Sequence, residues 1–522
     1  MEKQAKIYYT SDVHGYLFPT SYGDREERPM GLLNCISNFK KDGNTLVFDG
    51  GDSLQGAPLA TYMASRKEAV PDMDPIAKVY NAAGYDAVVP GNHDFNFGYN
   101  RLAEYFQALQ GVCLCANARD LEGKARISRS HIFVLENGLR LGVTGIVTDY
   151  VNVWEQPEHL EKIRITDAFE AASEELLQLK SQADVTVCIY HGGYECDLDN
   201  GAVLSTTGEN VGCRILRELD YDILLTAHQH MSVPGKELFG THTLQLAPNA
   251  LQYACVDIKV EDGRVSVKSA ICPAGGVHGK EPYESLLPLE EAVQEWLDVD
   301  IGRLIEPVPE KNKVEMALNG SAIADFFNQV QLEYSGADIS CVGLGNSPIS
   351  LPDHVTMRDL VRVYPFSNTL VVLEVNEKSL KKALERCAEY FALRDGEITI
   401  SDAFLKPKVE HYNYDYFSGI TYEMDLKEPV GNRVKRILYQ GEPLAGRTLS
   451  LCMSDYRASG TGGYEVYKEC RVLKRIGKEV PQLALDYFRK HPVVKIEKHG
   501  GIITVSNRNA FCITSGYESH GY

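Results

Sequence analysis

The sequence is poor in positive charge. Lys and Arg number 53 against 72 Asp and Glu, a formal net charge of −19. A surface of that balance repels a phosphate backbone, so polymeric nucleic acid is not an expected partner. An anionic substrate then needs a local source of positive charge, and a bound metal ion is the simplest one. No apolar run reaches the ~18 residues of a membrane span, so no membrane partner is expected. The opening MEKQAKIYYTSD lacks a basic stretch followed by a long apolar one, and the expected location is cytoplasmic. Repeats and low-complexity segments are absent. Thirteen cysteines occur singly, with no CxxC pair. An odd, scattered set reads as small core residues in a reducing compartment, not as a disulfide framework.

What is present is an ordinary globular composition, 44% hydrophobic and 24% charged,. The 522 residues exceed what one core usually holds,. Residues 1–283 alternate strand-like and helix-like runs. KIYYTS (6–11), TLVFD (45–49), AVV (87–89), VCLCA (112–116) and VTVCIY (185–190) are short apolar runs suited to buried strands,. PIAKVYNAA (75–83) has a helical apolar stripe stopped by Gly84,. Asn137-Gly138 and Asp262-Gly263 predict hairpins. A Gly- and Pro-rich stretch follows, then EEAVQEWLDVDIGRLI (290–305) with helical spacing, read as a linker helix within 284–310. A second α/β domain is expected over 311–522, mixing helix (323–334) with strand (369–375).

Polar clusters stand just after the apolar runs of the first half. Asp12 and His14 follow the first, in DVHG. Asp52 follows the second, in GGDSLQG. Asn92, His93 and Asp94 follow in GNHD, His191 in HGG, and His228 with His230 in HQH. Loops at the carboxyl ends of strands share one edge of an α/β sheet, where ligands bind. Imidazole and carboxylate together suit borderline divalent metals such as Mn, Fe, Co and Zn. Each cluster alone is weak, since a lone Asp-x-His is mostly chance. Five in order after strands are not readily explained so.

At these residues the chain resembles the calcineurin-like metallophosphoesterases, whose motifs D-x-H, GD-x-x-x-G, GNH[DE], H-x-G and H-x-H stand here in order. The resemblance implies a four-layer α/β catalytic domain with two divalent metal ions. Asp12, His14, Asp52 and His230 match the ligands of one metal, and Asp52, Asn92, His191 and His228 those of the other, with Asp52 bridging. His93 matches the residue that faces the phosphate and assists the leaving group. VYPFSNTLVVLEV (363–375), YDYFSGITYEMDL (414–426) and SDYRASGTGGYEVY (454–467) extend the resemblance to the two-domain bacterial nucleotidases. There the second domain holds the nucleoside between two rings, matched by Phe366 and Tyr456; Phe366 also reads as a core residue after a Pro turn. Of the tyrosine-rich run 411–422, most reads as half-buried strand, with Tyr412 or Phe417 as candidates for a pocket rim.

Two departures bear on substrate. The 5′-nucleotidases of that family place an Asp three residues after the substrate-facing His, where this chain has Asn96, as the cyclic-phosphodiesterase branch commonly does. They also carry an arginine in a Gly-rich segment, where this chain has GLGNSPI (343–349); Asn346 there is either a neutral nucleoside contact or a loop residue. The expected activity is therefore 2′,3′-cyclic-nucleotide 2′-phosphodiesterase/3′-nucleotidase, acting on a small nucleotide. The alternatives are a 5′-nucleotidase or a nucleotide-sugar or dinucleotide pyrophosphatase. From another class, a non-catalytic binding module of the same fold is the alternative, which retention of all seven candidate ligands disfavours.

Overall fold

Strand-forming apolar runs of the first half close into two sheets. The computed structural model describes residues 2–65, 74–275, 281–347, 350–366, 368–394, 397–406 and 409–498. The chain folds as two units, unit 1 (Met1–Trp296) and unit 2 (Leu297–Tyr522). In chain order unit 1 includes β1 (Lys3–Thr10), β2 (Thr45–Asp49), α1 (Pro75–Ala83), β3 (Ala87–Val88), α2 (Gly98–Ala108), β4 (Val112–Leu114), β5 (Ile127–Ser128), β6 (Ser130–Val134) and β7 (Arg140–Val147). It continues with α3 (Ala168–Lys180), β8 (Val185–His191), α4 (Gly212–Glu218), β9 (Ile223–Thr226), β10 (Val233–Leu238), β11 (Thr241–Gln245), β12 (Gln252–Glu261), β13 (Arg264–Pro273) and α5 (Tyr283–Leu297).

One sheet runs β13-β12-β1-β2-β3-β4-β5 and the other β10-β11-β9-β8-β7-β6. Ile7, Phe48 and Leu114 of the first, with Val89 just beyond β3, share a buried cluster with Leu141, Val187, Ile189 and Leu225 of the second. The other face of the second sheet packs Cys188, Tyr190 and Leu224 with Ala172 and Leu176 of α3 and Leu216 of α4. Covered on both faces, β8 is buried along its whole length, which is why its sequence is a continuous apolar run rather than an alternation. In α1, Asp74 caps the first turn, Pro75 starts the helix and Gly84 ends it at φ 69°, a conformation glycine adopts without steric cost. Both expected hairpins form, β6–β7 around Asn137-Gly138 and β12–β13 around Asp262-Gly263. The last turn has φ 50° and 78° at its two central residues, the primed geometry that matches strand twist.

Two expectations need correction. The helical spacing over 290–305 holds only to Leu297, and Asp300–Leu304 is a strand. The helix α5 is a packed part of unit 1: Leu286 and Val293 are buried, Glu290 accepts from the Tyr22 hydroxyl at 2.9 Å, and Trp296 lies 5.6 Å from the Tyr62 ring. Part of the Gly-rich stretch before it falls outside the described residues. The cysteines are not all reduced core residues either. Cys196, in the loop after β8, is disulfide-bonded to Cys213 at the start of α4. The loop brings the two together across a sequence separation of 17 that carries no spacing signal.

Unit 2 includes β14 (Asp300–Leu304), α6 (Lys313–Asn319), α7 (Ala322–Ser335), β15 (Ile339–Gly343), β16 (Leu370–Asn376), α8 (Glu377–Ala388), β17 (Asp415–Ser418), β18 (Thr448–Ser454), α9 (Asp455–Ala458) and β19 (Val472–Ile476). Its main sheet runs β17-β15-β18-β16-β19. Val371, Leu373, Leu451 and Met453 pack with Leu380 and Leu384 of α8 in its core. β15 runs parallel to β18, whereas β16 is antiparallel to β18 with Leu370 opposite Ser454. The segments after β15, before β16 and after β18 therefore meet at one edge.

Candidate active site

The sequence clusters sit where the strands end. Asp12 follows β1, Asp52 follows β2 and Asn92 follows β3, while His191 closes β8 and His228 follows β9. The loops there turn sharply. Asp12, His14, Asp52, His228 and His230 all have positive φ, between 52° and 73°. Left-handed backbone costs a non-glycine residue roughly 1 kcal/mol or more, persists only where the surrounding structure enforces it, and clusters at functional sites. Gly91 allows a close approach: a Cβ there would lie 2.1 Å from Asp52 Oδ1.

Donor atoms of Asp12, His14, Asp52 and His230 lie within 4.8 Å of one another, and so do those of Asp52, His191 and His228. Hydrogen bonds orient the rings. Nδ1 of His14 faces the Gln55 carbonyl at 2.8 Å and Nδ1 of His191 faces the Gly50 carbonyl at 2.6 Å. Carbonyl oxygens only accept, so each Nδ1 carries the proton and each neutral ring presents a lone pair at Nε2. His228 is turned the other way. Its Nε2 faces Glu209 Oε1 at 3.2 Å, and Trp154 stacks on the ring at 5.4 Å.

These orientations leave acceptors facing acceptors. Nε2 of His14 and of His230 stand 2.9 Å apart. Asn92 Oδ1 stands 3.1 Å from His191 Nε2 and 2.8 Å from His228 Nδ1. The buried Oδ2 atoms of Asp12 and Asp52 have no hydrogen-bond partner among the described residues. Converging lone pairs and orphaned carboxylate oxygens are costly unless a cation sits among them, so the donor set fits divalent metals. Without a cation, protons take part of that role. Burial opposes charge on His191, yet Asp52 and Asp12 push its pKa up to about 9. Burial would raise the Asp52 carboxyl, but His191, His93 and His14 hold it well below the usual carboxylate range.

His93 donates its backbone N–H to Asp52 Oδ1 at 2.8 Å, which anchors it beside the donor set. Its Nδ1 meets Asn96 Oδ1 at 2.7 Å, leaving Nε2 as the outward nitrogen.

Residues 5–232 match the calcineurin-like phosphoesterase family and residues 301–469 the 5′-nucleotidase C-terminal domain. A Staphylococcus aureus crystal structure, provisionally assigned as a 5′-nucleotidase in complex with alpha-ketoglutarate, superposes with a TM-score of 0.88. It is 31% identical, over 96% of this chain and 100% of that one. The chain belongs to the two-domain calcineurin-like nucleotidase family. This places it among metal-dependent hydrolases that act on phosphoester bonds. More distant relatives include the 2′,3′-cyclic-nucleotide 2′-phosphodiesterase/3′-nucleotidase of Salmonella typhimurium, 22% identical over 87% of this chain and 81% of that protein. The trifunctional nucleotide phosphoesterase protein YfkN of Bacillus subtilis is 22% identical over 96% of this chain. The chain spans only 39% of that protein's length.

The nucleotidase C-terminal domain gathers the remaining candidates at its sheet edge. Phe366 precedes β16 and Tyr456 follows β18, and the two strand ends are tied by Thr369 Oγ1 donating to Asp455 Oδ2 at 2.7 Å. Both rings are half-buried. Tyr412 lies 6.2 Å from Phe366, whereas Phe417 is buried in the core and offers no rim. Asn346 is exposed and donates its side-chain amide to the Val409 carbonyl at 2.8 Å. Pro348, Ile349 and Ser367 of the quoted segments lie outside the described residues.

Three site residues were not found by sequence reasoning. Glu209, in a loop, and Trp154, at the end of the short helix Val151–Trp154, flank His228 without any strand-end motif to mark them. Lys313 is half-buried and donates to the Gly345 carbonyl; burial pulls its pKa down to about 8. Carboxylates behind metal-binding imidazoles commonly set ligand basicity. Glu209→Gln should thus weaken metal binding by about 10–100-fold, read by titrating Mn into chelator-stripped protein. Unchanged affinity would make Glu209 a bystander.

Proposed function

We propose that the chain hydrolyses nucleotide phosphoesters, with 2′,3′-cyclic nucleotides and 3′-nucleotides as its preferred substrates. Asp12, His14, Asp52 and His230 would hold one divalent metal, and Asp52, Asn92, His191 and His228 the other. When bound, Mn, Zn, Fe or Co ions supply positive charge that withdraws electron density from phosphorus and acidifies a water nucleophile. His93 presents Nε2 to the leaving oxygen, while Asn96 holds its other nitrogen. Phe366 and Tyr456 grip the base by stacking, which adds ~1–3 kcal/mol with little preference among bases.

One observation carries the choice of ester: the group at His93 Nδ1 is the neutral Asn96 amide, at 2.7 Å, where the 5′-nucleotidase pattern has a carboxylate. A second reading, 5′-nucleotidase, is favoured by Lys313. Its ammonium beside the 343–347 loop has no carboxylate partner among the described residues, and it could replace the arginine missing there. Parallel assays of Mn-loaded protein with 2′,3′-cyclic AMP, 3′-AMP and 5′-AMP separate the two. Fast turnover of the first two with slow 5′-AMP hydrolysis is expected. A preference for 5′-AMP would transfer the assignment to the second reading.

A further inference from the structure

Asn96 does not end the chain of contacts that begins at His93. Its Nδ2 donates to Glu155 Oε2 at 2.7 Å. A carboxylate only accepts, so this bond fixes the amide with Oδ1 toward His93. His93 Nδ1 must then be the donor at 2.7 Å. Glu155 is 8% exposed. Its Oε1 accepts from the Gln156 backbone N–H at 2.7 Å and from His159 Nδ1 at 2.8 Å. Both carboxylate oxygens are thereby occupied, and every donor in the chain points toward Glu155. Its charge in turn raises the proton affinity of His159, so a cation can stand behind it.

We propose that Glu155 is a positioning residue for His93, orienting the imidazole and placing negative charge behind it through the Asn96 amide. The charge that Asn96 itself lacks is supplied one amide further away. Hydrogen bonds in a line polarise one another, and a buried carboxylate makes the amide oxygen it pulls on a stronger acceptor. The field at His93 is weaker than that of a directly bonded carboxylate, because distance and an intervening group dilute it. The plainer alternative is a clamp, in which Glu155 does no more than tie residues 92–98 to residues 151–160. A clamp predicts lost folding or metal content, without discrimination between leaving groups.

The inference rests on the reading that His93 serves the leaving oxygen, and four variants separate the two. With metal-loaded protein, His93→Ala should lower kcat roughly a hundredfold on 3′-AMP. Glu155→Gln, nearly isosteric, should lower kcat roughly tenfold on 3′-AMP with KM little changed. On p-nitrophenyl phosphate, whose leaving oxygen needs no proton, its loss should nearly vanish. Asn96→Asp added to Glu155→Gln returns a carboxylate to His93 and should restore most of the rate. Equal loss on both esters, or no rescue, would overturn the proposal in favour of the clamp. A full rate in Glu155→Gln beside a crippled His93→Ala would overturn it while sparing the His93 reading, whereas a silent His93→Ala would remove both. If Glu155→Gln does not fold, Asn96→Leu cuts the chain yet keeps Glu155 on His159, and the same dependence on leaving group is expected of it.

Discussion

Asp52→Asn is expected to lower turnover by about a thousandfold or more, equivalent to ~4 kcal/mol of lost transition-state stabilisation. The side chain is 1% exposed and belongs to both donor groups. Asparagine keeps its volume and can still accept the His93 backbone N–H at Oδ1. It changes only the second oxygen, which now lies 3.3 Å from His191 Nε2 and 3.9 Å from His14 Nε2. An NH₂ group there turns a shared acceptor into a donor aimed at the place two cations would use. The variant also loses the charge that supports protonated His191, so neither protons nor metals find their usual partner. Bound metal after dialysis should fall from two equivalents toward one or none, with the fold intact by circular dichroism. Two equivalents and a near-normal rate would rule out a shared carboxylate at this position.

That site was legible because its chemistry is written in short motifs directly behind apolar strands. Asp12, Asp52, Asn92, His191 and His228 each lie within four residues of a strand end, so naming the strands nearly located the edge. The supporting groups were not legible. Glu155 and Glu209 reach the centre from loops whose sequences show only scattered carboxylates, and nothing local distinguishes them from solvated ones. The Cys196–Cys213 bond was missed for a related reason, since loop path rather than spacing joins its ends. Strand β14 was read as helix because apolar residues at Val299, Ile301 and Ile305 continue the stripe of α5. Periodicity alone cannot tell a short strand from another helical turn. In unit 2, the shared sheet edge of the segments that carry Phe366 and Tyr456 follows from antiparallel pairing of β16 with β18, a long-range fact that local patterns do not contain.

Arg457→Met is expected to destabilise unit 2 by ~3–5 kcal/mol, the usual cost of leaving one partner of a buried ion pair alone. Arg457 is 3% exposed and Asp415 1%, with Nε and the carboxylate 2.8 Å apart. The guanidinium also donates to the Thr461 carbonyl at 2.7 Å and the Tyr412 carbonyl at 3.0 Å, and it lies 4.1 Å from the Tyr464 ring. Burial already raises the Asp415 carboxyl against the pull of Arg457; methionine removes that pull and strands the charge. The same group packs beneath the Gly-rich turn, where a Cβ on Gly462 would lie 2.5 Å from its Nη1. Losing it should loosen Tyr412 and the 460–463 turn beside Tyr456, raising KM for nucleotides more than it lowers kcat. Both tryptophans, Trp154 and Trp296, belong to unit 1, so hydrogen exchange across 410–464, rather than tryptophan fluorescence, is the measurement that reads the change. Adding Asp415→Asn should recover part of the loss by removing the stranded charge. If the single variant cost under about 1 kcal/mol, the pair would be acting as a solvated surface contact, and the order of this sheet edge would have to come from the surrounding aromatic packing instead.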